Sequence, residues 1–400
     1  MRLSGNAALM LAITVLAGAS AAANPRSEAL RREGYDAAYS LDYDRAKDLF
    51  AQAITADPND DGAYRGAASL CWLRVLFLRG TVLVEDYLGH LKSASDVPMP
   101  APPADLDTAF HQNIDRAIAL AEKAVDKRYN DASSHSDLGA ALGIHASYAG
   151  SVEGKVFGAM RLARRAFSES ELALELDPHE TQAGMVAGTY RYLVSTLPMA
   201  VRVMAYIVGF GGGKEEGLRL IEKAAAAPSE VQTDAKAALV LIYNRERRFD
   251  DAVNVLHSLE RSYPQNRLFL LEEGSTLLRG NKAAEANKVL EDGMARLAQD
   301  TRPRMPGEDG RWHFKRGAAR LLLGRLNEAD EDLKAALAAP DVRGWVLARI
   351  HVELGKLADV RGDRAAAQRE YRAAIAIGQT AKDDEAESQA TQFLAKAYKQ

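Results

Sequence analysis

Residues 43–58 read YDRAKDLFAQAITADP, and the order of small and bulky residues in this segment is the strongest structural signal in the sequence. Ala46 is followed four residues later by Phe50 and three residues after that by Ala53, and Pro58 closes the segment. Two packed helices need small residues where their axes cross and a bulky residue to fill the adjacent groove. The segment therefore predicts the second helix of a helix pair, ended by the proline.

The same spacing of core positions returns along the chain, with Ser170 at the bulky position of one copy and Leu259 at the second small position of another. It is found at Ala166, Ser170 and Ala173, at Ala252, Leu256 and Leu259, at Ala286, Leu290 and Gly293, at Ala329, Leu333 and Ala336, and at Ala367, Tyr371 and Ala374. A glycine precedes the first small residue by twelve positions at Gly34, Gly274, Gly317 and Gly355. From a weaker copy at Gly217 onwards, the copies start 35, 34, 43 and 38 residues apart. A repeat of this length predicts stacked helix pairs with a continuous core.

The pattern and its period resemble those of the tetratricopeptide repeat (TPR) family over most of residues 27 to 380. The resemblance implies an all-α fold, a TPR-like right-handed superhelix of antiparallel helix pairs, in a protein of the exported bacterial type. The copies are regular in the C-terminal half, and longer intervals predict insertions in the N-terminal half. Residues 197–213, 244–249 and 263–269 also resemble TPR proteins of the inclusion-body-clearance type, which implies no chemistry.

These observations divide the chain into six parts. We expect a signal peptide at 1–23, an N-terminal TPR-like block at 24–93, a proline-rich linker at 94–103, a TPR-like helical block with insertions at 104–230, a regular TPR array at 231–380 and a capping helix at 381–400. The linker follows from its four prolines, which exclude a helix there.

The N-terminus carries a short apolar run, from Ala7 to Ala17, between Arg2 and a stretch of small residues that ends at Ala23. This arrangement is typical of a secretory signal peptide. A membrane anchor is the alternative, but the run is well short of the ~20 apolar residues that a spanning helix needs. We therefore expect cleavage near Ala23 and a periplasmic or secreted protein without a transmembrane segment.

The composition argues against several classes of function. Fifty-one Lys and Arg residues and 55 Asp and Glu residues give a net charge of -4, without the basic excess that is typical of nucleic-acid-binding proteins. Cys71 is the single cysteine, so a disulfide within the chain and a multi-cysteine metal site are excluded. The apolar neighbours of Cys71 predict a buried, unreactive thiol.

Three short motifs suggest chemistry and fail on spacing or geometry. Residues 209–214 (GFGGGK) lack the first glycine and the Ser or Thr of a phosphate-binding loop. Residues 57–62 (DPNDDG) begin like a calcium loop, but the closing Glu is absent. Residues 135–137 (HSD) are adjacent and therefore cannot adopt the geometry of a hydrolase triad. We expect no cofactor, no metal and no catalysis.

TPR arrays bind an extended peptide or a partner helix on the concave surface that the first helices of the pairs form. We therefore predict a non-catalytic exported TPR scaffold with a protein or peptide partner. The repeat register places the following residues on the concave face: Tyr35, Tyr39, Asn244, Arg245, Leu271, Ser275, Arg279, Phe314 and Lys356. The alternative is a small-molecule or lipid-binding periplasmic accessory protein, similar to TPR components of transporters, with an apolar cavity walled by residues 193–210.

The segment 197–213 is more apolar than a surface loop should be. Two arrangements relieve the cost of exposing it. It folds back and fills the superhelix groove, or it stays partly exposed and docks a partner or ligand. In the second arrangement, Met204, Ile207 and Phe210 are contact residues.

Overall fold

The structure is a computed structural model that describes residues 24–88, 99–197, 199–207 and 209–400. The predicted signal peptide and residues 94–98 of the predicted linker lie outside these ranges. Within them, the regular structure consists of eighteen α-helices and one 3-10 turn, without a strand. Among the helices described, none is both long and apolar enough to cross a membrane.

The helices are numbered in chain order. Their bounds are Pro25–Tyr39 (α1), Tyr43–Ala56 (α2), Asp61–Leu78 (α3), Ala104–Lys127 (α4), Ala132–Ser151 (α5), Val156–Leu176 (α6), Thr181–Thr196 (α7), Met199–Ile207 (α8), Lys214–Ala226 (α9), Gln232–Arg245 (α10), Phe249–Ser262 (α11), Arg267–Arg279 (α12), Ala283–Gln299 (α13), Glu308–Leu322 (α14), Leu326–Ala338 (α15), Gly344–Val360 (α16), Arg364–Ala381 (α17) and Asp384–Ala395 (α18).

Successive helices pack as antiparallel pairs. The pairs are α1 with α2, α3 with α4, α5 with α6, α7 with α9, α10 with α11, α12 with α13, α14 with α15 and α16 with α17. Helix α18 packs on α17 and α16 and ends the stack. The predicted all-α superhelix of helix pairs is confirmed, and α8 is an insertion within the fourth pair.

The repeat glycines lie where paired helices approach most closely. A Cβ atom on Gly34 would lie 3.0 Å from the ring of Phe50, and a Cβ atom on Gly274 would lie 2.5 Å from Leu290. In both cases the partner is the bulky residue that follows sixteen positions later, as the repeat pattern predicts. A larger side chain at either glycine would separate the two helices of its pair.

The superhelix closes on itself in its N-terminal half. The hydroxyl of Tyr39, at the end of α1, donates a hydrogen bond to Asp234 of α10. The side-chain amide of Asn266 donates to the carbonyl oxygen of Tyr39 at 2.7 Å, and Arg302 donates to the carbonyl oxygen of Ser40. Helix α1 therefore encloses a lumen together with helices that follow it by some two hundred residues.

The connection between α3 and α4 leaves the helix stack and enters the superhelix. Residues Val84–Tyr87 form the 3-10 turn, which contacts α10 and α12. Helices α3 and α4, on either side of this connection, pack against each other as one pair. Residues 80–87 therefore enter the superhelix from within a single helix pair.

The apolar insert forms α8 and the turn that follows it. One face is buried, since Phe210 lies with its ring centroid 5.8 Å from that of Phe167 and 6.0 Å from that of Tyr190. The other face is open to solvent, and Ile207 is 72% exposed. The insert is therefore buried on one side and exposed on the other, and the docking of a partner on the exposed side stays a prediction.

Cys71 is buried within α3, and this prediction is confirmed. Burial raises the pKa of its thiol to about 11, against the opposing effect of Arg74. A thiol with a raised pKa is largely protonated at neutral pH, so it is a poor nucleophile.

Candidate functional site

The concave face of α10, α12, α14 and α16 forms a groove, which we call the C-terminal groove, and residues 80–87 occupy it. Lys315 forms an ion pair with Glu85. Arg311 donates two hydrogen bonds to the carboxylate of Asp86, at 2.8 and 3.1 Å. All four side chains are buried. The groove therefore holds an acidic segment of the chain through charges that are removed from water.

The main chain of this segment is held as well. The backbone amide of Val84 donates to Glu272 at 3.1 Å, and Arg245 donates to the carbonyl oxygen of Tyr87 at 2.6 Å. Contacts to both carboxylates and backbone groups are those by which a groove recognises a peptide segment. The segment is thus bound in the manner of a peptide ligand.

The charge state of Glu85 follows from its surroundings. Burial acts to raise the pKa of Glu85, but the nearby cations of Lys315, Arg349 and Arg279 outweigh burial and hold the pKa at about 2. The carboxylate is therefore ionised at neutral pH. Because removing one partner of a buried ion pair leaves an uncompensated charge, the groove discriminates strongly against an uncharged segment.

Six predicted concave residues lie at this groove, and most of them are covered. The buried ones are Asn244, Leu271, Ser275 and Phe314. Leu271 belongs to the same apolar cluster as Leu83 and Met305, so the chain itself covers it. The other two, Arg245 and Arg279, remain partly exposed and contact Tyr87 and Glu272, respectively. Residues 80–87 reach two of the six, because Leu271 shares a cluster with Leu83 and Arg245 contacts Tyr87, whereas Asn244 contacts Thr276 and Phe314 packs among α14, α15 and α16. The expectation that the four buried residues lie open on the concave face is therefore corrected.

Four predicted contact residues lie in other places. Lys356 forms an ion pair with Glu353 at 2.7 Å, and its ammonium group lies 5.6 Å from the ring centroid of Tyr398. Ile207 is exposed on α8, whereas Phe210 is buried and belongs to the core rather than to a contact surface. The side chain of Met204 lies outside the part of the chain that the structure describes.

The two remaining predicted residues, Tyr35 and Tyr39, line a cavity in the lumen of the N-terminal half, which we call the N-terminal cavity. Helices α1, α3, α5, α7 and α10 surround it, and its volume is about 410 Å³. Apolar residues form most of the wall, among them Leu70, Leu73, Leu76, Ile144, Val186 and Leu193. Cavities of this volume accommodate small-molecule ligands.

One end of the N-terminal cavity is charged. Arg65, Glu230 and Asp234 are the charged residues among those that line it. Arg65 contacts two carboxylates, at 3.0 and 3.1 Å, and Glu230 forms an ion pair with Arg31 at 2.8 Å. Asp234 accepts a hydrogen bond from the hydroxyl of Tyr39. Two of the three charged lining residues therefore have an ionic partner.

Asp234 lacks such a partner among the described residues, since none of their Lys, Arg or His side chains forms an ion pair with it. Burial raises the pKa of Asp234 to about 6, and the hydrogen bond from Tyr39 opposes the increase only in part. Buried charges in proteins are normally paired. The wall of the N-terminal cavity therefore presents a carboxylate with unused capacity to bind a cation.

A third cluster has the composition of a metal site. One ligand atom each from Asp107, His111 and Glu153 lies within 4.8 Å of the other two. These groups already have partners, because Tyr148 donates to Asp107 at 2.7 Å and Lys155 contacts Glu153 at 2.9 Å. We therefore assign no metal to this cluster.

Sequence reasoning missed the residues that hold segment 80–87. Glu85 and Asp86 interrupt an apolar stretch shortly before the proline-rich linker, and Lys315 stands beside Phe314, which the register selected. Two adjacent acids in an apolar stretch are the signal that could have found this contact, because such a stretch is buried and its charges then require partners.

The chain was compared with known families and structures. Residues 175–302 match the model of the family described as Iml2/Tetratricopeptide repeat protein 39. No curated protein matches the chain. Among solved structures, it is similar to yeast Tom70, with a TM-score of 0.40 and 13% identity over 93% of this chain and 88% of that chain. It is also similar to the human IFIT1 dimer with m7Gppp-AAAA, with a TM-score of 0.45 and 14% identity over 93% of this chain and 85% of that chain.

The family match and the helix pairs agree on one architecture. The three segments that carry the resemblance to inclusion-body-clearance proteins, 197–213, 244–249 and 263–269, all lie inside the matched range. The match also includes the inserted helix α8 and three complete helix pairs. The chain therefore has a TPR-like fold of stacked helix pairs, and residues 175–302 match a family model of tetratricopeptide-repeat proteins.

Proposed function

We propose that this chain is an exported, non-catalytic scaffold that binds a protein partner through the concave face of its superhelix. The contacts of the C-terminal groove with residues 80–87 carry the proposal. They pair two carboxylates with buried cations and engage the backbone on both sides of them. An acidic segment of a partner that adopts the same turn and takes the place of residues 80–87 finds the same groups.

Residues 80–87 compete with any partner for the C-terminal groove. A tethered segment competes at an effective concentration on the order of millimolar. A partner segment must therefore make more contacts than residues 80–87 do, or bind when they have left the groove. Such competition makes the scaffold selective for segments that match both the charges and the backbone turn of residues 84–87.

A fluorescent peptide with the sequence of residues 81–88, TVLVEDYL, tests the proposal. In the full chain with Glu85→Ala and Asp86→Ala, Lys315 and Arg311 lose their partners, so we expect the peptide to bind. We expect no binding to the wild-type chain, because its own segment occupies the groove. The matched control is the peptide with Gln and Asn in place of the acids, which should bind about tenfold more weakly.

Two results would contradict this proposal. One is the absence of peptide binding to a double variant that retains its helical circular dichroism and cooperative unfolding. The other is equal binding of the acidic and amide peptides, because the cations of the groove would then contribute nothing to recognition.

The N-terminal cavity favours a second candidate function, the binding of a small apolar molecule. Its wall is mainly apolar and its volume of about 410 Å³ suits such a ligand. Of the segment 193–210, Leu193 lines the cavity. Mass spectrometry of the protein purified under native conditions, read for both proteins and small molecules, separates the two candidate functions.

Export is proposed from the sequence. The apolar run before Ala23 and the small residues around it suit signal peptidase. N-terminal sequencing of the exported protein should give a first residue near Asn24. Recovery of a chain with Met1 from the membrane fraction would contradict this part of the proposal.

A further inference from the structure

The N-terminal cavity combines an apolar wall with a single carboxylate that has no cationic partner among the described residues. Asp234 stands at this wall, and Tyr39 donates the hydrogen bond that it accepts. We infer that the N-terminal cavity binds a small amphiphile with one positive charge. Its ammonium group contacts Asp234, and its apolar body lies along the side chains of α3, α5 and α7. This inference names the ligand class of the second candidate function and rests on that function.

The charges around the cavity select a cation over an anion. Arg65 and Arg31 are the two cations at this end, and each of them contacts two carboxylates. Acids therefore outnumber bases even before Asp234 is counted. An anionic head group would meet net negative charge there, whereas an ammonium group would gain an ion pair in a site from which water is largely removed.

The aromatic residues at the same end favour an ammonium group as well. Tyr35 and Tyr39 both line the cavity, and they are four residues apart on α1. The faces of aromatic rings attract cations, and the attraction increases when the cation is desolvated. The hydroxyl of Tyr39 is already used, since it donates to Asp234. Both aromatic rings therefore lie at the end of the cavity where the carboxylate would hold a cationic head group.

The other end of the cavity has room for an apolar chain. Gly143 of α5 lines it, and a Cβ atom added there would lie 3.8 Å or more from Val186, Tyr190 and Ala166. These are ordinary van der Waals distances, so a Cβ atom at this position fits without displacing a helix. Because Gly143 lines the cavity, a larger side chain there is the substitution we choose to reduce its volume.

Titration calorimetry with decylamine, decanol and decanoate tests the inference, because these probes share an apolar chain and differ in the charge of the head group. We expect the wild-type chain to bind decylamine about tenfold more tightly than decanol, the ratio that one charge-assisted hydrogen bond supplies. We expect decanoate to bind more weakly than decanol. The measurement uses the full chain at a pH above 7, where Asp234, with a pKa of about 6, is ionised.

Two variants locate the ligand, and a third serves as the matched control. Asp234→Asn should abolish the preference for decylamine and leave the binding of decanol unchanged. Gly143→Leu should abolish the binding of both probes without lowering the melting temperature. Asp48→Asn makes the same change from carboxylate to amide at an exposed position of α2, and it should leave all three affinities unchanged.

Three other outcomes would each contradict a different part of the inference. If decanol binds the wild-type chain as tightly as decylamine does, the cavity takes apolar molecules and the inferred cation preference is wrong. If no probe binds, the second candidate function fails together with the inference. If Gly143→Leu binds decylamine as the wild type does, the ligand lies outside the N-terminal cavity.

Discussion

Residues 80–87 fill the concave face in the C-terminal half of the superhelix, whereas the concave face of the N-terminal half encloses a cavity of about 410 Å³. First helices of successive pairs line both spaces. What differs is the connection inside the α3–α4 pair, which sends an acidic segment into one of them. A partner of the C-terminal groove must therefore displace residues 80–87, whereas a ligand of the N-terminal cavity finds its space open.

Glu85 in the C-terminal groove and Asp234 in the N-terminal cavity have pKa values that are shifted in opposite directions. In the C-terminal groove, cations outweigh the effect of burial and lower the pKa of Glu85 to about 2. In the N-terminal cavity, burial dominates and raises the pKa of Asp234 to about 6. For a carboxyl group, a lowered pKa means that the folded protein stabilises the charged form, and a raised pKa means that it destabilises the charged form. Glu85 is therefore paired with cations, whereas Asp234 lacks a cationic partner among the residues that the structure describes.

The largest effect is expected from breaking a buried ion pair in the C-terminal groove. Arg311→Ala leaves the buried carboxylate of Asp86 without its main partner, which should cost about 3–5 kcal/mol of unfolding free energy. Urea unfolding measures this loss. The matched control is Arg219→Ala, which breaks an exposed ion pair with Glu216 and should cost no more than about 1 kcal/mol. Similar losses in the two variants would show that segment 80–87 does not depend on its charges.

The next effect concerns the insert that supports the wall of the N-terminal cavity. Phe210 packs on Tyr190, which lines the cavity, so Phe210→Ala should cost about 3 kcal/mol. Ile207→Ser, on the exposed face of the same insert, should change the unfolding free energy by less than about 0.5 kcal/mol. Thermal and urea unfolding of both variants check this difference. Equal losses would mean that the insert is buried on both faces.

The helix pairs could be predicted from the sequence because their cause is local and repeated. The pair Gly34 and Phe50 shows the rule, since a fixed spacing along the chain places a small residue against a bulky one at each crossing. The segment in the C-terminal groove could not be predicted in this way. Glu85 and Lys315 lie 230 residues apart, and nothing in the repeat register connects them.

The candidate site was predictable only in part for a related reason. The register selected Tyr35 and Tyr39, because they occupy the concave positions of a first helix. Asp234 resembles the many other carboxylates of the chain, and only the tertiary contacts distinguish it. Whether an acid has a partner depends on side chains from several helices at once, so a single sequence does not reveal it.

A smaller effect is expected on the pH dependence of stability, through the titration of Asp234 in the N-terminal cavity. The pKa of Asp234 is about 6 in the folded chain and 3.8 in a model peptide, so the folded state binds the proton more tightly. Its contribution to stability is therefore present below pH 3.8 and is lost as the pH rises through 6. Asp234→Asn should be more stable than the wild type above that pH, by on the order of 1 kcal/mol.

Melting temperatures of the wild type and of Asp234→Asn across this range check the sign. The two curves should converge below pH 3.8, where the carboxyl group is protonated in both the folded and the unfolded states. The remaining titratable groups are the same in both proteins, so the difference between the curves isolates Asp234. A variant that is less stable than the wild type above pH 6 would mean that the carboxylate has a cationic partner after all.

The smallest effect distinguishes open space from packed helices at two glycines that both line the N-terminal cavity, Gly143 and Gly66. A Cβ atom at Gly143 meets only atoms at 3.8 Å or beyond, whereas a Cβ atom at Gly66 would overlap the ring of Phe50. Alanine within a helix is favoured over glycine by about 0.5–1 kcal/mol. Gly143→Ala should therefore raise the unfolding free energy by about this amount, while Gly66→Ala should lower it because α2 and α3 must separate. Urea unfolding of both variants measures the difference, and a loss of stability in Gly143→Ala would show that the lumen beside α5 is closed.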